Sequence, residues 1–220
     1  MNLPEHLEKA FDEIEKIKEP LWAVTISYDN KSKNKKRTSR FNPGKPATEQ
    51  WELLSLNGRV PSSHEKEEFH QKKNLKKESK PKKDDGGLPN LSMGVPNIRE
   101  VIPASALKVS KETDSQITYS FRPVIDHALL KGLMKHIDGE IVYNKTTDTV
   151  ERITIQSNGK FTAFPSVNIN DMQGTMAFMR IDGGDLVLQE TSYKVTGKKF
   201  FVSKIYEEGL SRYEDYERLS

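Results

Sequence analysis

The side chains best suited to catalysis are scattered along the chain of 220 residues. Its five histidines fall in no His-Glu-x-x-His pattern and adjoin no set of carboxylates with metal-ligand spacing. The chain has no cysteine, which excludes disulfides, thiolate zinc sites and a cysteine nucleophile. Gly-x-Ser-x-Gly, P-loop and Gly-x-Gly-x-x-Gly motifs are also absent from the sequence. We therefore expect a protein that is not an enzyme and uses no metal or cofactor. A hydrolase built from dispersed carboxylates and a histidine is the catalytic alternative.

Two basic clusters could contact a partner. Residues 31–40 contain six basic and no acidic residues, and residues 72–83 contain seven lysines and one glutamate. Because the whole chain carries +3 and each cluster +6, the remaining residues carry −9. Solvated loops are one interpretation; contact with an anionic membrane surface or an acidic protein is the other. Neither cluster interleaves aromatic residues for base stacking, so we expect no nucleic-acid partner. The candidate contact residues are Lys35, Lys36, Arg37, Lys72, Lys73, Lys76 and Lys77.

The first half of the chain predicts a few helices and strands. Leu3, Leu7, Phe11, Ile14 and Ile17 form the apolar stripe of an amphipathic helix that ends before a proline. Strands are predicted over residues 22–28, near residue 41 after a basic loop over 31–37, and over 50–56. A capping box at residues 62–65 opens a charged helix. We expect that helix to dissolve into a charged, mobile excursion over about residues 72–90 of one domain spanning residues 1–220.

The second half predicts an antiparallel meander. A helix is expected after Asp126, ending at Asp138-Gly139, and short strands follow between Gly- and Asn-containing turns. Turns this short join antiparallel neighbours. We therefore expect an α+β fold, in which about ten strands form one strongly curved antiparallel sheet, a half-barrel, with a few helices packed in its concavity.

Apolar side chains occur on both faces of the central strands. In residues 161–169, Phe161, Val167 and Ile169 share one face, whereas Phe164 points to the other. One face must be a core. The second face is either a core beneath a helix or the lining of an apolar cavity.

The arrangement resembles a known family of bacterial envelope proteins. An N-terminal amphipathic helix precedes strands with Trp22 and Trp51, and Trp51-Glu-Leu-Leu-Ser-Leu-Asn-Gly58 precedes the charged excursion. A helix led by Pro123 closes on Asp138-Gly139, and the meander runs to Tyr213-Glu-Asp-Tyr216. Together these features resemble the LolA/LolB-like periplasmic lipoprotein-carrier superfamily, of which the chain looks like a divergent member. The strand with Arg40-Phe41 lacks the Arg-Pro…Arg-Trp pattern of the dedicated carrier.

The resemblance implies a half-barrel with a helical lid over a cavity for acyl chains, and residence in the periplasm after removal of a signal peptide. We therefore expect a monomeric carrier for acyl chains, lipoprotein or another apolar ligand. The alternative is an envelope protein-interaction module with a core filled by its own side chains and basic loops as its contact surface. The candidates for cavity or under-helix positions are Trp22, Val24, Ile26, Trp51, Phe121, Phe164, Phe178 and Phe201.

Overall fold

A computed structural model describes residues 3–17, 21–78, 98–124, 132–200 and 202–219, with the backbone alone for 74–78. The helices are α1 (Glu5–Lys16), α2 (Ser63–Glu78) and α3 (Ile98–Val101), and residues 132–134 are also helical. The strands are β1 (Trp22–Asn30), β2 (Lys35–Phe41), β3 (Trp51–Leu56), β4 (Lys108–Glu112), β5 (Gln116–Phe121), β6 (Ile137–Asn144), β7 (Thr149–Ser157), β8 (Phe161–Phe164), β9 (Val167–Arg180), β10 (Leu186–Lys199) and β11 (Ser203–Arg218).

All the described strands belong to one open antiparallel sheet. Its order is β3-β2-β1-β11-β10-β9-β7-β6-β5-β4, and β8 pairs with the first part of β9. The predicted meander is confirmed in the second half, where consecutive strands pair through short turns. The first strand of the chain pairs with the last, so β1 and β11 join the two halves of the sheet. The antiparallel sheet class of the prediction is therefore confirmed, with eleven strands.

Two glycines of the second half, the type of residue expected in turns, lie inside strands instead. Gly139 belongs to β6, because the predicted helix ends before residue 137. Thr196 and Gly197 belong to β10, where Gly197 lies so close to the Asn168 carbonyl that a Cβ would collide with it. The glycine therefore allows close approach of two strands and does not end one. Part of the predicted helix, residues 125–131, lies outside the described residues.

Helix α1 packs on one face of the sheet, as its apolar stripe predicts. Leu7, Ala10, Phe11 and Ile14 are at most 1% exposed. They belong to one core cluster with side chains of β5, β6, β7, β9 and β10, and Ile98 of α3 joins them. Burying such side chains contributes roughly 1.5–3 kcal/mol each, so this contact is the main anchor of α1.

Helix α2 begins at the predicted capping box. The Glu65 backbone N–H donates to the Ser62 hydroxyl at 3.3 Å, and the Ser62 N–H donates to the Glu65 carboxylate at 2.9 Å. Arg59 adds two hydrogen bonds to the same carboxylate, at 2.6 and 2.9 Å. These contacts lower the pKa of Glu65 to about 2. The one buried apolar residue on the described part of this helix is Phe69, which turns toward β3.

Candidate functional site

A single row of paired residues crosses the sheet and changes character along its length. It runs through eight strands on the face that carries α1. Beneath α1 the row consists of buried core residues, and beyond it the row becomes polar and half-buried. In order, its members are Tyr119, Ile141, Ile153, Met176, Thr191, Ser211, Tyr28 and Arg37.

The polar end of this row holds an arginine between two aromatic rings. The guanidinium carbon of Arg37 lies 5.3 Å from the ring centre of Tyr28 and 5.2 Å from that of Phe69. Its Nε is buried without a hydrogen-bond partner, and no described carboxylate forms an ion pair with it. Burial lowers the pKa of the Arg37 guanidinium, which nevertheless stays protonated at physiological pH. Within the part of the chain that the structure describes, this half-buried cation thus has no anionic partner.

Hydroxyl groups lie on the same face. The Tyr28 and Tyr193 hydroxyl oxygens are 3.1 Å apart, and the Asn30 amide donates to the Tyr28 hydroxyl at 2.9 Å. Burial, and then the hydrogen bond with Tyr28, raise the pKa of Tyr193. Ser39, two residues after Arg37, is 1% exposed, and its hydroxyl has no partner among the described residues. We call Arg37, Tyr28, Tyr193, Asn30 and Ser39 the Arg37 site.

A glycine allows this arrangement. Tyr193 of β10 pairs with Gly209 of β11, and Tyr28 of β1 pairs with the residue two positions further along β11. A Cβ on Gly209 would lie 2.5 Å from the Tyr193 ring. Because Gly209 has no side chain, the Tyr193 ring lies across β11 and its hydroxyl reaches the strand beyond.

The first basic cluster lies mostly on a strand and is partly neutralised. The predicted loop over residues 31–37 is replaced by one short 3-10 turn, and β2 begins at Lys35. Lys31 pairs with Glu208 at 2.5 Å, and Arg40 pairs with Glu217 at 2.6 Å. Lys36 lies 3.6 Å from an aspartate of β1. Arg37 differs from these residues because side chains alternate along a strand, so it shares its face with Ser39 and not with Lys36.

The other predicted contact residues have different surroundings. Lys35, Lys36 and Lys72 are exposed, and the ammonium of Lys73 lies 3.2 Å from the ring centre of Trp51. The side chains of Lys76 and Lys77 lie outside the described residues.

The eight predicted cavity residues lie in different regions. Phe121 and Phe178 are 4% exposed in the core beneath α1, where the side chains of that helix surround them. Trp51 packs beneath α2, with its ring centre 6.4 Å from that of Phe69. Val24 and Ile26 lie on the face of the Arg37 site. Phe164 borders a second core cluster, and Trp22 contacts Tyr216. Phe201 lies outside the described residues.

A second polar group lies beneath the start of α1. His6 Nε2 is 2.7 Å from the Tyr119 hydroxyl, and the Tyr143 hydroxyl donates to the Asp148 carboxylate. Burial lowers the pKa of His6, although the charges of Asp148 and Glu112 act in the opposite sense. Tyr119 and Tyr143 are 4% and 3% exposed, so these hydroxyls serve to satisfy buried polar groups of the core.

An apolar tip projects where β10 turns into β11. Phe200 is 61% exposed and Val202 is 81% exposed. Lys198 and Lys204 flank the turn and are exposed as well. The tip therefore combines apolar side chains with a basic collar.

Comparison of the chain with family models, with curated proteins and with solved structures finds no match. None of the described helices is long and apolar enough to cross a membrane.

The sequence prediction included Arg37 only as a surface contact. Alternation in Arg37, Ser39 and Phe41 was the available signal, and it would have placed Arg37 on an inner face had residues 35–41 been interpreted as one strand. No local signal pairs Tyr28 with Tyr193, because their contact depends on two strands that the chain brings together from 165 residues apart.

Proposed function

We propose that this protein is a non-enzymatic periplasmic carrier that binds acyl chains, lipoprotein or another apolar ligand. In this proposal the sheet forms a half-barrel, its helices lie in the concavity as a lid, and the ligand occupies the space beneath them. The resemblance to the LolA/LolB-like superfamily supports the proposal, and so does the helix-bearing face of the antiparallel sheet.

One observation favours a ligand on this face beyond α1. Helix α1 fills its own part of the face with side chains that are at most 1% exposed. Next to Phe69, the buried apolar side chain on the described part of α2, Trp51 and Arg37 remain half-buried. Ile26 of β1 is half-buried on the same face of the sheet. Partly covered apolar side chains next to a helix are what an acyl chain would contact. The ligand site is therefore expected between α2 and β1–β3.

Displacement of a fluorescent fatty acid from the delipidated protein tests this proposal. We expect micromolar binding, and we expect Ile26→Asp to weaken it at least tenfold, because the substitution places a charge in the apolar contact. Val109→Asp is the matched control, since Val109 is 56% exposed on the edge strand β4. Absence of binding and of co-purified lipid, or equal effects of both variants, would reject the carrier.

The filled core beneath α1 favours a second candidate, an envelope protein-interaction module. In that candidate the exposed basic side chains contact an acidic protein. Lys35 and Lys72 are exposed members of the two basic clusters. Their joint replacement by glutamate should abolish capture of the partner from an envelope extract while the thermal midpoint stays unchanged. Unchanged capture would argue against this candidate.

The tip formed by Phe200 and Val202 supports contact with an anionic membrane surface. Apolar side chains can enter the headgroup region, while the flanking lysines each contribute about 1 kcal/mol near anionic lipid. We expect binding to phosphatidylglycerol vesicles that weakens with salt and is lost in a Phe200→Asp, Val202→Asp variant. Equal binding to phosphatidylcholine vesicles, or no change in the variant, would contradict this role.

A further inference from the structure

We propose that the Arg37 site binds the carboxylate of a long-chain fatty acid, with the acyl chain on the apolar side chains beside it. This inference rests on the proposed function, because it names the ligand class of the same face. It concerns a monoanionic head group that Arg37 neutralises. Four features of the site support it: a cation without a described anionic partner, two hydroxyl groups, the local charge and the neighbouring apolar residues.

The first feature is Arg37, a cation that no described carboxylate neutralises. Covering a guanidinium costs free energy unless an anion or hydrogen-bond acceptors compensate it. The rings of Tyr28 and Phe69, both within 5.3 Å, attract the cation but accept no conventional hydrogen bond. No described carboxylate pairs with Arg37, whereas the neighbouring Arg40 has both Glu217 and the Thr25 hydroxyl. An incoming carboxylate would supply the missing acceptors, and its two oxygens match the planar guanidinium.

The second feature is a pair of hydroxyl groups, those of Tyr193 and Ser39, that can donate to a ligand oxygen. The Asn30 amide donates to the Tyr28 hydroxyl, which in turn is 3.1 Å from the Tyr193 hydroxyl. With Tyr28 donating to Tyr193, the Tyr193 proton is left to donate to a ligand oxygen. The buried Ser39 hydroxyl, on the face of Arg37, is a second donor without a partner among the described residues. Two such donors and one cation match a single carboxylate.

Local charge favours a monoanion over a phosphate dianion. Glu207 lies on the same face of the sheet, and its carboxylate accepts a hydrogen bond from Ser32 at 3.1 Å. Its negative charge contributes to the raised pKa of Tyr193. A second negative charge on the ligand would therefore be repelled by Glu207, while Arg37 neutralises the first.

The apolar neighbours distinguish a fatty acid from a small carboxylate. Ile26 and Leu53 flank Ser39 on the adjacent strands, and Tyr213 follows Ile26 in the same row. Leu53 is 3% exposed, whereas Ile26 and Tyr213 are half-buried. A methylene chain that starts at Arg37 thus meets apolar side chains two residues along the strands, at the next position on the same face.

The test compares palmitate with hexadecanol, which has the same chain length and no charge. Both compete with a fluorescent probe on the wild type, Arg37→Met and Tyr193→Phe, with Arg122→Met as control because Arg122 is an exposed arginine paired with Asp138. We expect Arg37→Met to weaken palmitate binding about tenfold or more and Tyr193→Phe about fivefold, with hexadecanol unchanged in both. Arg122→Met should change neither ligand.

The outcomes separate this inference from the proposed function. If hexadecanol and palmitate both fail to bind, the carrier proposal and this inference fall together. If both bind equally and Arg37→Met changes neither, the carrier stands and the carboxylate site is refuted. A parallel loss of hexadecanol binding would show that Arg37 acts through packing, which also refutes the site. Displacement of palmitate by millimolar inorganic phosphate or acetate would instead indicate a small-anion site. Tyr193→Phe provides the answer if Arg37→Met does not fold.

Discussion

Replacing Gly139 by alanine should destabilise the protein through one specific collision. Gly139 of β6 pairs with Phe121 of β5, whose ring lies over the glycine. A Cβ at this position would overlap three carbons of that ring. The backbone of Gly139 is not in the left-handed region, so the ring contact, not backbone strain, is what requires glycine.

The magnitude follows from how little room the ring has. Phe121 is 4% exposed and belongs to the core beneath α1, so its ring has no solvent-filled space into which it can move. Overpacking of such a core costs about 1–3 kcal/mol, and we expect about 3 kcal/mol for Gly139→Ala. For a protein of this size that corresponds to a fall of about 6–12 °C in Tm.

Urea denaturation followed by circular dichroism measures the effect. Gly132→Ala is the matched control, because a Cβ at Gly132 meets nothing within 4 Å and its backbone is helical. It should change the free energy of unfolding by less than about 0.5 kcal/mol or raise it. In a Phe121→Ala background the collision is gone, so Gly139→Ala should cost much less there. Equal effects of both glycine substitutions, or strict additivity with Phe121→Ala, would refute the explanation.

Three further predictions concern charged groups. Burial lowers the folded-state pKa of His6 below 6.5, so near pH 6 the unfolded state binds more protons than the folded state. The Tm of the wild type should therefore fall more steeply from pH 7.5 to 5.5 than the Tm of His6→Gln, and parallel profiles would contradict this. The Glu65 carboxyl should titrate near pH 2 in carbon NMR spectra and move toward 4.5 in Arg59→Gln, and an unchanged midpoint in that variant would count against the ion pair. Arg180 of β9 and Glu13 of α1 form an ion pair at 2.9 Å. In a double-mutant cycle, Arg180→Met and Glu13→Gln should show a coupling of about 1 kcal/mol in the free energy of unfolding. A coupling below about 0.3 kcal/mol would contradict a stabilising pair.

Local patterns were sufficient for the elements whose cause is local. The apolar stripe of α1, the capping box of α2 and the short turns of the meander depend on residues within a few positions of one another. The structure confirms each of them. By contrast, the glycines at 139 and 197 look like turns in the sequence but serve close packing, and that role depends on Phe121 and Asn168 in other strands.

The candidate site depends more strongly on the tertiary structure. The sequence alone determined an antiparallel sheet, an amphipathic helix on it and two concentrations of basic residues. Only the pairing of β1 with β11 decided that Tyr28 meets Tyr193, with Gly209 leaving room between them. Only the packing of α2 on β3 decided that Arg37 lies between two aromatic rings and not in solvent. The physical reason is that charge and hydrogen bonding at this site depend on burial, and burial is set by which distant strands and helices cover a residue.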